Sequence, residues 1–190
     1  MDNPDHSTRT LLLSRLAEGM LVVSRGSADN VDVGAGTLES GRSQIRAFNI
    51  SSLGEGDSYD YTTQGVRLGW GLRNSVGVAE HPQSGGIWSV ENSVDNAERL
   101  GVLIKENNPG EELNFHGYLN GTEYAAQGGN YGYPLCYATW DRDEVPQNEG
   151  IETGTQFAIG TPNNTVNDDF CQNNRIAPRL TFPAHWAPLE

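Results

Sequence analysis

The sequence predicts an all-β protein, and three observations lead there. Twenty-three glycines and nine prolines punctuate 190 residues, the apolar runs between them are short, and no long stretch repeats at helical spacing. Asn and Asp are abundant, which suits long polar connections rather than helices. A chain of this length buries most of its apolar surface in a real core, so residues 1–190 are expected to form a single domain.

Residues 10–14 read as a strand, Leu16-Ala17-Glu18-Gly19 as a turn, and 20–26 as the partner strand. A loop rich in Gly, Asp and Ser runs to about residue 42, after which 44–50 alternates as the next strand. An acidic loop and a strand over 65–70 lead into the clearest unit of the chain. There Arg73-Asn74-Ser75-Val76-Gly77 and Gly85-Gly86-Ile87-Trp88-Ser89-Val90-Glu91-Asn92-Ser93 flank the turn at His81-Pro82-Gln83-Ser84. This is one β-hairpin whose strands both run out in polar side chains. Such ends either cap turns or meet a ligand. A guanidinium, amides and backbone carbonyls at one mouth suit an anionic, carbonyl-bearing cofactor and a hard cation. Residues 112–117 form a further strand, and 121–183 read mostly as loop, relieved by strands over 155–160 and 179–182. Recurring hairpins fit the meanders of propeller blades better than a sandwich. No sequence repeat is evident, however, and periodicity alone leaves a sandwich close behind.

The formal net charge is −13, with Lys105 the single lysine among twelve basic residues. That balance argues against nucleic acid and anionic membrane as partners, and no apolar run reaches transmembrane length. Cys136 and Cys171 lie in polar, loop-like segments and are expected to pair in an oxidising compartment, offsetting loop entropy by roughly 3 kcal/mol. Sequons at Asn49-Ile50-Ser51, Asn120-Gly121-Thr122 and Asn163-Asn164-Thr165 fit the same setting. The start, Met1-Asp2-Asn3-Pro4-Asp5-His6, has neither a basic nor an apolar leader region. A missing N-terminal portion would reconcile the two.

Six ordered segments carry a resemblance across nearly the whole chain. They are Asp5-His6-Ser7-Thr8-Arg9-Thr10-Leu11, Arg73-Asn74-Ser75-Val76-Gly77 and Ser89-Val90-Glu91-Asn92-Ser93-Val94. Then come Asn108-Pro109-Gly110-Glu111-Glu112-Leu113-Asn114, Gly128-Gly129-Asn130-Tyr131-Gly132-Tyr133-Pro134 and Pro183-Ala184-His185-Trp186-Ala187-Pro188. Together they resemble the quinoprotein sugar dehydrogenases, most of all the fungal pyranose dehydrogenases that depend on pyrroloquinoline quinone (PQQ). The resemblance implies a six-bladed β-propeller with PQQ across the mouth of its channel. At about 40 residues per blade such a ring needs roughly 240 residues or more. The chain is therefore expected to be about four blades' worth of an incomplete propeller, with little activity alone.

By the same resemblance His6 is the general base, since an imidazole accepts a proton near neutrality, and Asp5 stands at the rim of its pocket. Arg73 lies against the quinone and stabilises charge on the reduced cofactor, Asn74 and Asn92 contact the cofactor, and His185 approaches it. The backbone carbonyls of Ser93 and Val94 hold a Ca²⁺ that the quinone completes. His6, Arg73, Asn74, Ser93 and Val94 are then expected to face one cavity. Glu111 and Glu112 are expected in a solvated loop, beyond an insertion over 95–107, and His81 and His116 in a turn and a strand. The implied reaction oxidises the anomeric carbon of an aldose or other pyranose and passes electrons to an external acceptor, in fungi often a haem domain. The implied location is extracellular. Glucose, fucose, glucosone and sorbosone stay equally open as substrates. Two other readings remain. One is a non-catalytic propeller fragment; the other is a calcium-dependent lactonase-like hydrolase with Glu91, Asn74 and Asn92 at its ion.

Overall fold

Alternating sequence builds two four-stranded antiparallel sheets, seen in a computed structural model that describes residues 5–186. Residues 1–4 and, from the C-terminal motif, Ala187 and Pro188 lie outside the described residues. In the first sheet β1 (Leu11–Leu13), β2 (Met20–Arg25), β3 (Gln44–Asn49) and β4 (Val66–Trp70) pair in chain order. Val22 sits opposite Ala47 and Ile45 opposite Gly69, so period-2 spacing puts Val22, Ile45, Ala47 and Leu68 in one fully buried cluster with Ile87 of the second sheet. The opposite face is covered as well. Val23, Phe48 and Tyr61 pack there, and buried Arg46 donates from Nε to the Gln64 carbonyl at 3.0 Å.

The second sheet holds β5 (Asn74–Glu80) and β6 (Gly86–Asn92). After β6 come the short pair β7 (Glu98–Arg99) and β8 (Val102–Leu103), then β9 (Glu111–Tyr118). The connection beyond β9 carries a second short pair, β10 (Cys136–Ala138) and β11 (Gln156–Ala158), and one helix, α1 (Asp168–Asn174). It returns as β12 (Leu180–Phe182), and the sheet order is β12-β9-β6-β5. Both sheets are thus up-and-down meanders, the second with two long excursions. No helix among the described residues is long and apolar enough to cross a membrane.

Those excursions have a core of their own. Ala35, Val94, Ala97, Ile104, Tyr133, Tyr137, Val145, Ile151 and Phe157 cluster together, all from connections or short strands. Arg99 ties it to α1, with Nη1 and Nη2 each 2.7 Å from an oxygen of Asp168 and Nη1 donating to the Ala158 carbonyl at 2.6 Å. Such a bidentate pair, fully hydrogen-bonded, is what lets a guanidinium only 2 % exposed sit there.

Three expectations need correction. The length suggested four blades, but the described residues form two four-stranded sheets, because the excursions take up the rest of the chain. The insertion over 95–107 is not open loop, since Ala97 and Ile104 anchor it in the second core. The cysteines are not in loops either: Cys136 opens β10 and Cys171 lies in α1, both buried. They are bonded, with Cα atoms 5.5 Å apart, well inside the bridging range.

Candidate functional site

Antiparallel pairing decides which residues meet. Asn74 opens β5 opposite Asn92, the last residue of β6, while Gly26 and Ser27 follow β2 and Glu111 opens β9. Ser27 donates its N–H to the Arg73 carbonyl at 2.7 Å, joining the two sheets at this end. A cavity of about 400 Å³ lies there, lined by Asp5, His6, Arg73, Asn92, Ser93 and His185. Asp29, Asn30, Asp95 and Glu111 complete its wall. A larger cavity of about 550 Å³, between residues 153–156 and 177–181, holds neutral polar groups and Arg179, a poorer set for acid–base chemistry.

His6 is buried, with Nδ1 3.1 Å from the Ser27 carbonyl and 2.9 Å from Ser27 Oγ. The Ser27 hydroxyl gives its own proton to the Asp29 carbonyl at 2.7 Å. Nδ1 must therefore be the donor to both Ser27 oxygens, which in the neutral ring leaves the lone pair on Nε2. The Asp5 carboxylate is 3.6 Å from the same Nδ1. Gly26 permits this packing: a Cβ there would stand 2.6 Å from Asn74 Oδ1 and 2.8 Å from His6 Cβ.

Arg73 is 5 % exposed, and its guanidinium is held on several sides. It donates to Asn30 Oδ1 at 2.9 Å and pairs with Asp95 at 3.1 Å. Its backbone N–H goes to Glu91 Oε1 at 2.5 Å. Asn92 lines the cavity, and its buried Oδ1 finds no hydrogen-bond partner among the described residues. His185 has φ 64°, in the left-handed region, and its Nε2 lies 2.8 Å from the Lys105 carbonyl.

Of the residues singled out from sequence, the cavity gathers Asp5, His6, Arg73, Asn92, Ser93 and His185. Asn74 is buried beside Gly26 and does not line this cavity, and the Val94 side chain packs in the second core. Sequence reasoning missed Asp29, Asn30 and Asp95. Asn30 accepts from both Arg73 and the Asp95 N–H, each at 2.9 Å, and donates to the Asp95 carbonyl. Nothing in a Gly-, Asp- and Ser-rich loop marks it for that.

Glu111 and Glu112 are a further correction. They are buried in β9, which runs between β6 and β12, rather than solvated. Glu112 faces Glu91 across the strands, and Asn114 Nδ2 donates to it at 2.9 Å. Burial pushes Glu112 up to about 7, against the Asn114 bond and a backbone bond from Ala138. Glu91 is also raised, by burial first and then by Glu112. His116 is a strand residue of β9, as expected; it is fully buried, its ring 4.9 Å from that of Tyr131, and burial drives it down to about 3.

These shifts predict how stability varies with pH. Glu112 holds its proton in the fold to about pH 7 but loses it near 4.5 when unfolded. Its contribution is full below pH 4.5 and is lost as pH rises towards 7. His116 acts in the opposite sense: its contribution is present above 6.5 and is lost as pH falls through 3. Glu112→Gln should flatten the fall in thermal midpoint between pH 4.5 and 7. An unchanged slope would show that Glu112 does not titrate as its burial requires.

The relatives of this all-β chain are named as quinone-dependent sugar dehydrogenases. The profile described as TrAA12-like matches residues 1–190, and the chain belongs to that family. It is 53% identical over 191 residues to a pyrroloquinoline quinone-dependent sugar dehydrogenase of Hypocrea jecorina (strain QM6a), covering 100% of this chain and 44% of that protein. Its fold superposes with TM-score 0.91 on the calcium structure of the Trichoderma reesei Carbohydrate-Active Enzymes Family AA12 protein, at 53% identity over 97% of this chain and 45% of that one. The holo form of the Coprinopsis cinerea pyranose dehydrogenase PQQ domain gives TM-score 0.88 at 34% identity, covering 100% of this chain and 46% of that one. The chain therefore spans less than half the length of these relatives.

Proposed function

We propose that this chain carries the mouth of a PQQ-dependent sugar dehydrogenase that oxidises the anomeric carbon of a pyranose by hydride transfer to the quinone. The observation that carries the reading is the convergence of His6, Arg73, Asn92 and Ser93 on one cavity from separate segments. The two meanders are then two blades of a six-bladed propeller, with residues 1–190 one incomplete domain of it.

The donor set fits the cofactor. Arg73 supplies a fixed, buried positive charge for an anionic quinone, and Asn92 Oδ1 is an acceptor with no partner among the described residues. Among the described residues no three His, Cys, Asp or Glu side chains are placed to hold a metal ion. A calcium ion here would rest on oxygens of Ser93, Val94 and Asn92, which suit a hard cation. When bound, the quinone would accept hydride and the ion would polarise its oxygens. His6 takes the sugar hydroxyl proton on Nε2, and Ser27 keeps the ring in the tautomer that can do so. Arg73 stabilises the negative charge that develops beside it, while Asn30 and Asp95 keep its guanidinium in place. Asn74 is buried beside Gly26, and His185 lines the same cavity as His6.

The hydrolase reading needs Glu91, Asn74 and Asn92 around one ion. Glu91 instead lines a separate cavity with Phe182 and Trp186 and holds the Arg73 N–H. An external acceptor, such as a haem domain, would take the electrons. An extracellular site is supported by the disulfide and by Asn49, Asn120 and Asn163, all exposed.

Titrating PQQ in the presence of Ca²⁺ tests the reading, with tryptophan fluorescence as readout. Saturable, calcium-dependent quenching is expected, and Arg73→Ala should weaken it by about tenfold or more, as loss of a charged contact does. Equal binding with and without Arg73 would remove that residue from the cofactor site.

A further inference from the structure

We infer that Glu111 is a positioning residue of this mouth, one carboxylate that sets the distance between the Ser93 segment and the His185 segment. The inference rests on the reading of the cavity as a PQQ and calcium site. Glu111 Oε2 accepts the Ser93 backbone N–H at 2.7 Å, and Oε1 accepts the His185 backbone N–H at 3.2 Å. The two donors come from well-separated parts of the chain, one following β6 and the other following β12. Glu111 itself is fixed by its place in β9, paired with Phe182 of β12, and is 7 % exposed.

Both bonds go to main chain, which is why they matter to the site. Fixing the Ser93 N–H restrains the backbone whose next carbonyls are the proposed calcium ligands, since each peptide unit is planar. At His185 the backbone is in the left-handed region, where a residue with a Cβ persists only if its surroundings hold it. The Glu111 oxygen and the Lys105 carbonyl, which binds the His185 ring, supply that hold. The job calls for two acceptors on one rigid head. A glutamine offers one oxygen, and its NH₂ would face an N–H.

Glu111→Gln tests this against a purely structural role, with Glu112→Gln as a second buried carboxylate of the same strand that lies off the cavity wall. Two readouts are needed: PQQ affinity at saturating Ca²⁺, and amide hydrogen exchange. Glu111→Gln should weaken PQQ by about tenfold, as expected for a lost charge-assisted bond. It should also speed exchange at Ser93 and His185 while the Arg73 amide, held by Glu91, stays protected. Glu112→Gln should keep PQQ affinity within about twofold. If Glu111→Gln binds PQQ like wild type, or exchange at the two amides is unchanged, the inference is overturned while the reading of the site stands. If wild type does not bind PQQ, both fall together. Should Glu111→Gln not fold, wild type decides: PQQ and Ca²⁺ should protect the Ser93 and His185 amides together, and protection of one alone overturns the inference.

Discussion

His6→Ala is expected to lower sugar oxidation by about 10²–10⁴-fold in kcat, in a chain long enough to complete the mouth, while PQQ still binds. The expectation follows from how the ring is held. Ser27 Oγ spends its proton on the Asp29 carbonyl, so Nδ1 donates and Nε2 keeps the basic lone pair. A methyl in place of the ring leaves Arg73 with its own partners, Asn30, Asp95 and Glu91 through the backbone. Cofactor affinity should therefore move little while the proton has no acceptor. Dye reduction by an aldose measures the first quantity and fluorescence titration the second. If the variant turns over within about tenfold of wild type, another group takes the proton and the role assigned to His6 is wrong.

Much of the sheet framework was legible because its signal is local. The hairpin of β5 and β6 announces itself by alternation around His81-Pro82-Gln83-Ser84, and β2, β3 and β4 begin or end within a residue or so of the sequence reading. The second core was not legible. Val94, Ile104 and Tyr133 come from three separate connections and Phe157 from the short strand β11, and no periodicity links them. α1 was missed for a different reason: Asp-Asp-Phe-Cys-Gln-Asn-Asn is a weak helix former. It forms because Asn167 caps it, accepting the Phe170 N–H at 2.9 Å, and because Arg99 grips Asp168. At the mouth, His6 and Arg73 came from family resemblance, whereas Asn30, Asp95 and Glu111 had no local mark. A carboxylate that opens a strand reads as solvated until the sheet that covers it is known.

Replacing both Cys136 and Cys171 by alanine should lower stability by about 3–4 kcal/mol, from the loop the link closes. The bond spans 35 residues and joins β10 to α1, with Ala158 against it and Val166 and Phe170 packed around. Both cysteines are essentially fully buried, so alanine avoids leaving a hydroxyl unsatisfied there. A seven-residue helix of this composition cannot stand alone in water. Without the link it rests on the Asn167 cap and on Arg99, and when it frays it takes Asp168 from a guanidinium that is itself buried. A buried cation stripped of its partner destabilises its surroundings strongly, so the loss should spread to β7 and β11, which Arg99 also joins. For a chain of this size the thermal midpoint should fall by about 6–16 °C, with hydrogen exchange rising first over residues 168–174. A double alanine variant that melts within about 2 °C of wild type and keeps α1 protected would mean that the cap and Arg99 hold this excursion without the disulfide.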